Sequence, residues 1–220
     1  MSSETEYRPL QTLEENGPVP PVPEALKRFI WDIQSMVELT EDEREILFIG
    51  RDLMMRLVAS DDWLSAVFAA PDPARRQQFQ LFADGLERFS VVATVLSPGQ
   101  VLPAALDPVW EIIGVLRGAV NLTRFPMAEG GQPAPRGESG ILQQGSVATF
   151  NSKNRDALCL GNALDGSASI VIHVYGGEMA KVDRHTFTAD GETITKPVTY
   201  ANPADAAPYD IFSIQTRIED

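Results

Sequence analysis

Histidine and cysteine, the side chains that bind transition metals most readily, are scarce in this sequence. Its 220 residues include two histidines, His173 and His185, and one cysteine, Cys159. A single cysteine excludes a disulfide within the chain and is typical of a protein from a reducing cytoplasm. With two histidines the chain cannot form a metal site that requires three histidine ligands, and this excludes a large class of redox centres.

Basic residues and long apolar segments are also few. Eighteen Lys and Arg stand against 31 Asp and Glu, and the resulting net charge of −13 repels the phosphates of nucleic acids. No apolar run approaches the roughly 20 residues of a membrane span. The N-terminus, MSSETEYRPLQTLEENG, is polar and acidic and lacks the features of a secretory signal. We therefore expect a cytoplasmic protein that binds neither nucleic acid nor membrane.

Three successive regions are visible in what the sequence does contain. Residues 1–22 are acidic and then Pro-rich, which predicts a tail. Residues 23–87 carry apolar side chains at helical spacing and predict a helical layer, in which residues 72–82 form a short helix. Residues 88–220 contain short β-branched and aromatic runs separated by Gly, Pro, Asn and Asp, as in an antiparallel barrel or sandwich. We expect one compact unit, and its exposed helices and barrel edges are compatible with a homodimer.

Residues 99–118, GQVLPAALDPVWEIIGVLRG, have a distinctive spacing. From the first glycine to the last they read G-x5-A-x-D-x3-E-x6-G. This resembles the first cupin motif, G-x5-H-x-H-x3/4-E-x6-G, with Ala105 and Asp107 at the histidine positions and Glu111 at the glutamate position. The resemblance implies a double-stranded β-helix, or jelly-roll, barrel. The predicted fold class is therefore mainly β, with an N-terminal α-helical layer packed on the barrel.

Longer segments resemble the cysteine-dioxygenase type of cupin, especially the 3-mercaptopropionate dioxygenases. They read RQQFQLFADGLERFSVVATVLSPGQ, WEIIGVLRG and ASIVIHVYGGEMAKVDRHTF, and the resemblance covers roughly residues 24–200. Such enzymes hold ferrous iron with three histidines, and the resemblance places those positions on Ala105, Asp107 and Leu158. Alanine and leucine have no lone pair to donate. We therefore predict no three-histidine iron centre, no cofactor and no thiol dioxygenase activity.

The resemblance also implies which residues of the family's pocket remain. The Ser-x-His-x-Tyr run beside the iron reads V-x-H-x-Y here, so the serine is lost while His173 and Tyr175 stay. In the mercaptopropionate enzymes an arginine eleven residues after that histidine binds the substrate carboxylate, and Arg184 stands at this position. A glutamine lines their pocket as well. Gln78 matches it, or Gln77 if the alignment shifts by one residue.

Each of these residues also has a purely structural interpretation. His173 on an apolar strand can be a core histidine with satisfied hydrogen bonds. Arg184 can be a surface cation paired with Asp183. Glu111 can be a general acid or base inside the barrel, where burial raises the pKa of a carboxyl, or a rim carboxylate bridged to Arg117.

Three functions remain open, and we favour the first. It is a metal-independent enzyme that binds a small carboxylate-bearing molecule through Arg184 and Gln78 and acts by isomerisation, cyclisation, dehydration or hydrolysis. Its candidate catalytic residues are Glu111, Asp107, His173 and Tyr175. The second function is a non-catalytic ligand-binding or scaffold protein, because loss of the iron ligands is what drift after lost activity produces.

The third function is an enzyme with an altered, carboxylate-rich metal site. Asp107, Glu111 and His173 would suit manganese, magnesium or calcium. On a regular strand the two carboxylates share a face but lie on the order of 13 Å apart. This site therefore requires the chain to bend near Pro108.

Overall fold

The computed structural model describes residues 22–134, 137–153, 156–188, 190, 192–204 and 208–209. The predicted tail, residues 1–22, therefore lies outside the described residues except for Val22. The order of the elements is α1 (Glu24–Leu39), α2 (Glu43–Leu57), a 3-10 helix (Ala66–Phe68), β1 (Gln77–Ala83), β2 (Ser90–Leu96), β3 (Ala104–Leu106), β4 (Glu111–Arg117), β5 (Ala119–Pro126), β6 (Glu138–Gln143), β7 (Val147–Phe150), β8 (Asp156–Asn162), β9 (Ser169–Tyr175), β10 (Arg184–Phe187) and β11 (Thr193–Lys196).

The strands form two antiparallel sheets. Their orders are β1-β2-β9-β4-β7 and β11-β10-β3-β8-β5-β6. Strands β2 to β9 alone give β2-β9-β4-β7 against β3-β8-β5-β6, which is the strand order of an eight-stranded jelly roll built from two Greek keys. The predicted double-stranded β-helix is therefore confirmed, and β1, β10 and β11 extend its sheets at the edges.

The two helices pack on the outer face of the first sheet. In α1 the apolar positions Leu26, Phe29, Ile30 and Ile33 follow the helical period and are all buried. Helix α2 begins after Asp42, whose side chain accepts a hydrogen bond from the Arg44 amide and so caps the helix. The predicted helical layer on the barrel is confirmed. In the part of the chain that the structure describes, neither helix has the length and apolarity needed to cross a bilayer.

A glycine allows α2 to lie close to the sheet. An added Cβ at Gly114, in the middle of β4, would fall 2.6 Å from Met54 Cγ and 2.8 Å from Val58 Cγ1. These separations are shorter than van der Waals contact, so a side chain at this position would push the helix away. Because of this close contact, α2 covers the outer face of the sheet. The inner face of the barrel is left to line a cavity.

The prediction of a short helix at residues 72–82 is wrong. Residues Gln77–Ala83 form β1, which pairs antiparallel with β2, so the helical layer does not extend to residue 87. Phe79 and Leu81 alternate into the core, which a strand allows, while the intervening glutamines and two preceding arginines obscure this period in the sequence. The free edge of β1 is covered by Asn202, whose side chain exchanges hydrogen bonds of 2.8 and 2.9 Å with the Gln80 backbone.

Candidate active site

A cavity of about 1430 Å³ opens at one end of the barrel. It is lined by every residue that the sequence analysis proposed for the site, namely Gln78, Asp107, Glu111, His173, Tyr175 and Arg184. The two positions that lack a metal-binding side chain, Ala105 and Leu158, also line it and are directly opposite each other in β3 and β8. The structure therefore brings the predicted residues together in one place.

A bend in the chain directs both carboxylates of the motif into this cavity. Strand β3 ends at Leu106 and belongs to one sheet, whereas β4 begins at Glu111 and belongs to the other. Residues 107–110 connect the two sheets, and the exposed Pro108 lies within this connection. Asp107 and Glu111 consequently both line the cavity and are not spaced along one regular strand.

Glu111 and His173 form a buried hydrogen-bonded pair. The distance between Glu111 Oε1 and His173 Nδ1 is 2.7 Å, and the two side chains are 5% and 1% exposed. We place the imidazole proton on Nδ1, where it is donated to the carboxylate, so that Nε2 carries the lone pair. Within the described chain His173 Nε2 is buried and has no hydrogen-bond partner. A ligand in the cavity is the natural partner for this atom.

Tyr175 completes this side of the site. Its hydroxyl lies 3.2 Å from His173 Nδ1, and its ring stacks on the imidazole with centroids 5.5 Å apart. Burial, together with the charge of Glu111, raises the pKa of Tyr175 well above its usual range, so the phenol stays protonated.

The alternative of Glu111 as a rim carboxylate bridged to Arg117 is wrong, because Arg117 pairs instead with Asp61 at 2.8 Å.

Arg184 and Asp107 form a second buried pair on the opposite side. Arg184 Nη2 donates to Asp107 Oδ2 at 2.9 Å, so the surface pair with Asp183 is not formed. Burial raises the pKa of Asp107 to about 6, against the attraction of Arg184, and the nearby Glu111 raises it further. Burial opposes the charge of Arg184 as well, but the negative charge of Asp107 outweighs it and raises the pKa of the guanidinium.

Unpartnered atoms remain on this second pair. Asp107 Oδ1 and Arg184 Nε are both buried and lack a hydrogen-bond partner in the described residues. The expected role of Arg184 in binding a substrate carboxylate is thus altered, because one nitrogen of the guanidinium already donates to Asp107. The pair offers a ligand one acceptor and one donor side by side.

The remaining predicted residues occupy the edges of the cavity. Gln78 Nε2 donates to Thr94 Oγ1 at 3.2 Å. Gln77, its alternative, also lines the cavity, and its buried Oε1 has no hydrogen-bond partner among the described residues. Cys159 is half-buried, its thiol donates to the Leu102 carbonyl at 3.2 Å, and burial raises its pKa. It therefore remains a neutral thiol in a structural position.

Sequence reasoning missed Lys196, which lies directly opposite Arg184 in the β10–β11 hairpin and lines the cavity. A signal for it was present. The Asp-Gly dipeptide at positions 190–191, between two β-prone runs, is a strong hairpin signal. A hairpin there brings residues 184 and 196 near each other, although a two-residue turn would pair residue 184 with residue 197 and not with residue 196.

The site does not fit the metal of the family that the sequence resembles. Ala105 and Leu158 bring methyl groups to two of the three ligand positions, and His185 lies on the surface with its Nδ1 2.8 Å from Thr195 Oγ1. Across the described parts of the chain, no group of three or more His, Cys, Asp and Glu side chains is arranged to hold a metal ion. The carboxylates that the altered metal site requires are engaged by His173 and Arg184.

Solved structures provide several similar chains. The TT1209 protein of Thermus thermophilus is 18% identical, with a TM-score of 0.40 over 50% of this chain and 90% of its own. An RmlC-like cupin family protein with a double-stranded β-helix fold from Methanocaldococcus jannaschii is 12% identical, with a TM-score of 0.36 over 48% of this chain and 84% of its own. An oxalate oxidase in complex with the substrate analogue glycolate is 14% identical, with a TM-score of 0.41 over 54% of this chain and 60% of its own.

No family model matches the sequence. Each of the three likenesses spans about half of this chain with a TM-score below 0.5, so the strand order described above carries the fold assignment. The narrower resemblance to thiol dioxygenases stays a prediction. The chain has the double-stranded β-helix fold that its cupin-like motif predicted.

Proposed function

We propose that this protein is a metal-independent enzyme that transfers protons on a small anionic molecule, in keeping with the carboxylate-bearing ligand expected from the sequence. The observation that carries the proposal is the buried Glu111–His173 pair, both of whose residues line a large cavity; in the described part of the chain its 2.7 Å hydrogen bond leaves His173 Nε2 without a partner. A buried polar pair is costly unless its groups are satisfied, so its unpartnered nitrogen is a strong indication of a ligand.

His173 is the proton-transfer group in this proposal. Nε2 removes a proton from the substrate, and the electron pair of the broken bond moves into the adjacent carbonyl or double bond. Glu111 stabilises the imidazolium that forms, and the same Nε2 returns the proton to a neighbouring atom. This sequence of steps is an isomerisation, which balances without a co-substrate. Tyr175, which stays protonated, is the group that we propose to donate a hydrogen bond where negative charge develops.

The other candidate residues orient the ligand. Arg184 Nε and Asp107 Oδ1 offer a donor and an acceptor on the side opposite His173, and Gln78 lines the same cavity. Cys159 is unsuited to nucleophilic catalysis because its thiol is neutral and already donates to a carbonyl. This favours proton transfer over acyl transfer.

A hydrogen-exchange experiment tests the proposal. Protein purified with a chelator and shown to be metal-free by elemental analysis is incubated in D2O with oxo acids and sugar phosphates of about five or six carbons whose carbonyl is remote from the anionic group, and exchange at carbon is followed by NMR. We expect Glu111→Gln and His173→Gln to slow the catalysed exchange by about 10² to 10⁴-fold, the usual contribution of general acid–base catalysis. Glu129→Gln, an exposed loop substitution of the same kind, is the matched control.

Two results would contradict the proposal. The first is equal exchange rates for the wild-type protein and both site variants. The second is oxygen uptake by the iron-loaded protein with 3-mercaptopropionate or cysteine, which would restore the chemistry that the missing histidines exclude.

A non-catalytic ligand-binding protein is the second candidate. The observation that favours it is the replacement of polar family positions by apolar residues, with Leu158 on the cavity wall and Val171 fully buried beside it. The same experiment separates the two candidates, because saturable binding of a probe without catalysed exchange supports a binding protein.

A further inference from the structure

We infer that the ligand of this cavity binds with its anionic group at the mouth, next to Lys196, and presents a neutral hydroxyl or carbonyl end to His173. The inference deepens the proposed function of the same cavity, since it names the class and the orientation of the ligand. It departs from the expectation that Arg184 holds the anionic group.

The bottom of the cavity is unfavourable for an anion. Arg184 donates to Asp107 at 2.9 Å, so their charges cancel, and Glu111 adds a further carboxylate that accepts from His173 at 2.7 Å. A second anion at this depth would lie close to two carboxylates with little solvent between them, where repulsion is strong. A neutral polar group, by contrast, would satisfy unpartnered atoms of Asp107, Arg184 and His173.

The mouth of the cavity is favourable for an anion. Arg75, Arg76 and Lys196 are exposed and line it. Arg75 is paired with Asp72 at 3.2 Å, whereas in the described residues neither Arg76 nor Lys196 forms an ion pair. In a protein of net charge −13, uncompensated cations at the mouth of a cavity are an exception that attracts anionic ligands.

The strand pairing makes Lys196 the main anchor. It is the cross-strand partner of Arg184, so the two Cβ atoms are separated by about 5 Å on the face of the sheet that lines the cavity. Lys196 is therefore the first cation outward from the Arg184–Asp107 pair. Arg76, whose Nη1 donates to the Val101 carbonyl at 2.7 Å, is fixed at another part of the rim and contributes a weaker, longer-range attraction.

The volume of the cavity sets the size of the ligand. At about 1430 Å³ it exceeds the roughly 300 to 1000 Å³ of most ligand pockets, and a three-carbon acid would leave most of it empty. A chain of several hydroxylated or carbonyl-bearing carbons that ends in a phosphate or carboxylate fits both this volume and the polarity of the two ends.

Equilibrium binding of matched probe pairs tests the inference. Ribose 5-phosphate is compared with ribose, and gluconate with glucitol, by calorimetric titration of the wild-type protein and of Lys196→Gln, Arg76→Gln and Lys153→Gln. We expect each anionic probe to bind about tenfold or more tightly than its neutral partner, the effect of one charge-assisted hydrogen bond. Lys196→Gln removes most of this preference, Arg76→Gln a smaller part, and the exposed control Lys153→Gln none. The probe pair with the larger preference for the anionic member shows whether the anionic group is a phosphate or a carboxylate.

Equal binding of the anionic and neutral probes, no binding of any probe, or a preference that survives Lys196→Gln would overturn the inference. Because equilibrium binding involves no turnover, its outcome is separate from that of the exchange experiment. Charge-dependent binding without catalysed exchange would contradict only the proposed enzyme activity. Catalysed exchange without a role for Lys196 would contradict only the ligand orientation.

Discussion

The two faces of strand β9 differ in what they bury. Ile170, Ile172 and Val174 face the helices and belong to an entirely apolar cluster. Val171, His173 and Tyr175 point into the barrel. Val171 belongs to an apolar cluster there, whereas His173 and Tyr175 are hydrogen-bonded polar side chains at the cavity. Both faces are excluded from solvent, yet only the inner one carries polar side chains. The outer face therefore stabilises the fold, and the inner face holds the buried polar groups on which the proposed function rests.

The largest effect on stability is expected on the outer face. Met54 of α2 is fully buried against Gly114, and Met54→Ala removes this packing, which should lower the free energy of unfolding by about 2 to 5 kcal/mol. Met55, its neighbour, is 42% exposed, so Met55→Ala should cost about 0.5 kcal/mol or less. Urea unfolding measures both. Equal losses for the two variants would show that the helices do not pack on the sheet as described.

An intermediate effect is expected from Asp107 on the inner face and depends on pH. Because burial raises the pKa of Asp107 to about 6 in the folded protein, from 3.8 when exposed, its contribution to stability is greatest below pH 4 and is lost as the pH rises through 6. The loss amounts to about 3 kcal/mol. Asp107→Asn cannot titrate, so the free energy of unfolding of the wild-type protein minus that of the variant should decrease between pH 4 and pH 7.

Urea unfolding of both proteins at a series of pH values checks this difference, since acids distant from Asp107 titrate alike in the two. A difference that is constant with pH, or that grows as the pH rises, would mean that Arg184 determines the state of Asp107 more strongly than burial does.

The two faces were unequally predictable from the sequence. Helix α1 and the barrel could be predicted because apolar periodicity and the motif spacing are local patterns. Strand β1 could not, because two arginines and three glutamines mask an alternation that only its pairing with β2 reveals. At the site, the residues to inspect could be identified, but not their partners. Asp107 and Arg184 are separated by 77 positions in the sequence, and Glu111 and His173 by 62. No local sequence pattern predicts contacts between residues so far apart.

The smallest effect on stability is expected when the inner face is made to resemble the outer one. Replacing Glu111 and His173 together by leucine exchanges a buried hydrogen-bonded pair for apolar groups of similar size, which is usually neutral or slightly stabilising. Either single replacement leaves a buried polar group without its partner and should cost several kcal/mol. Urea unfolding of the three variants forms a double-mutant cycle, and a double variant as unstable as the sum of the singles would mean that the two side chains stabilise the fold independently and not as a pair. If instead the double variant is as stable as the wild-type protein but no longer catalyses hydrogen exchange, the pair contributes to the reaction and not to the stability of the barrel.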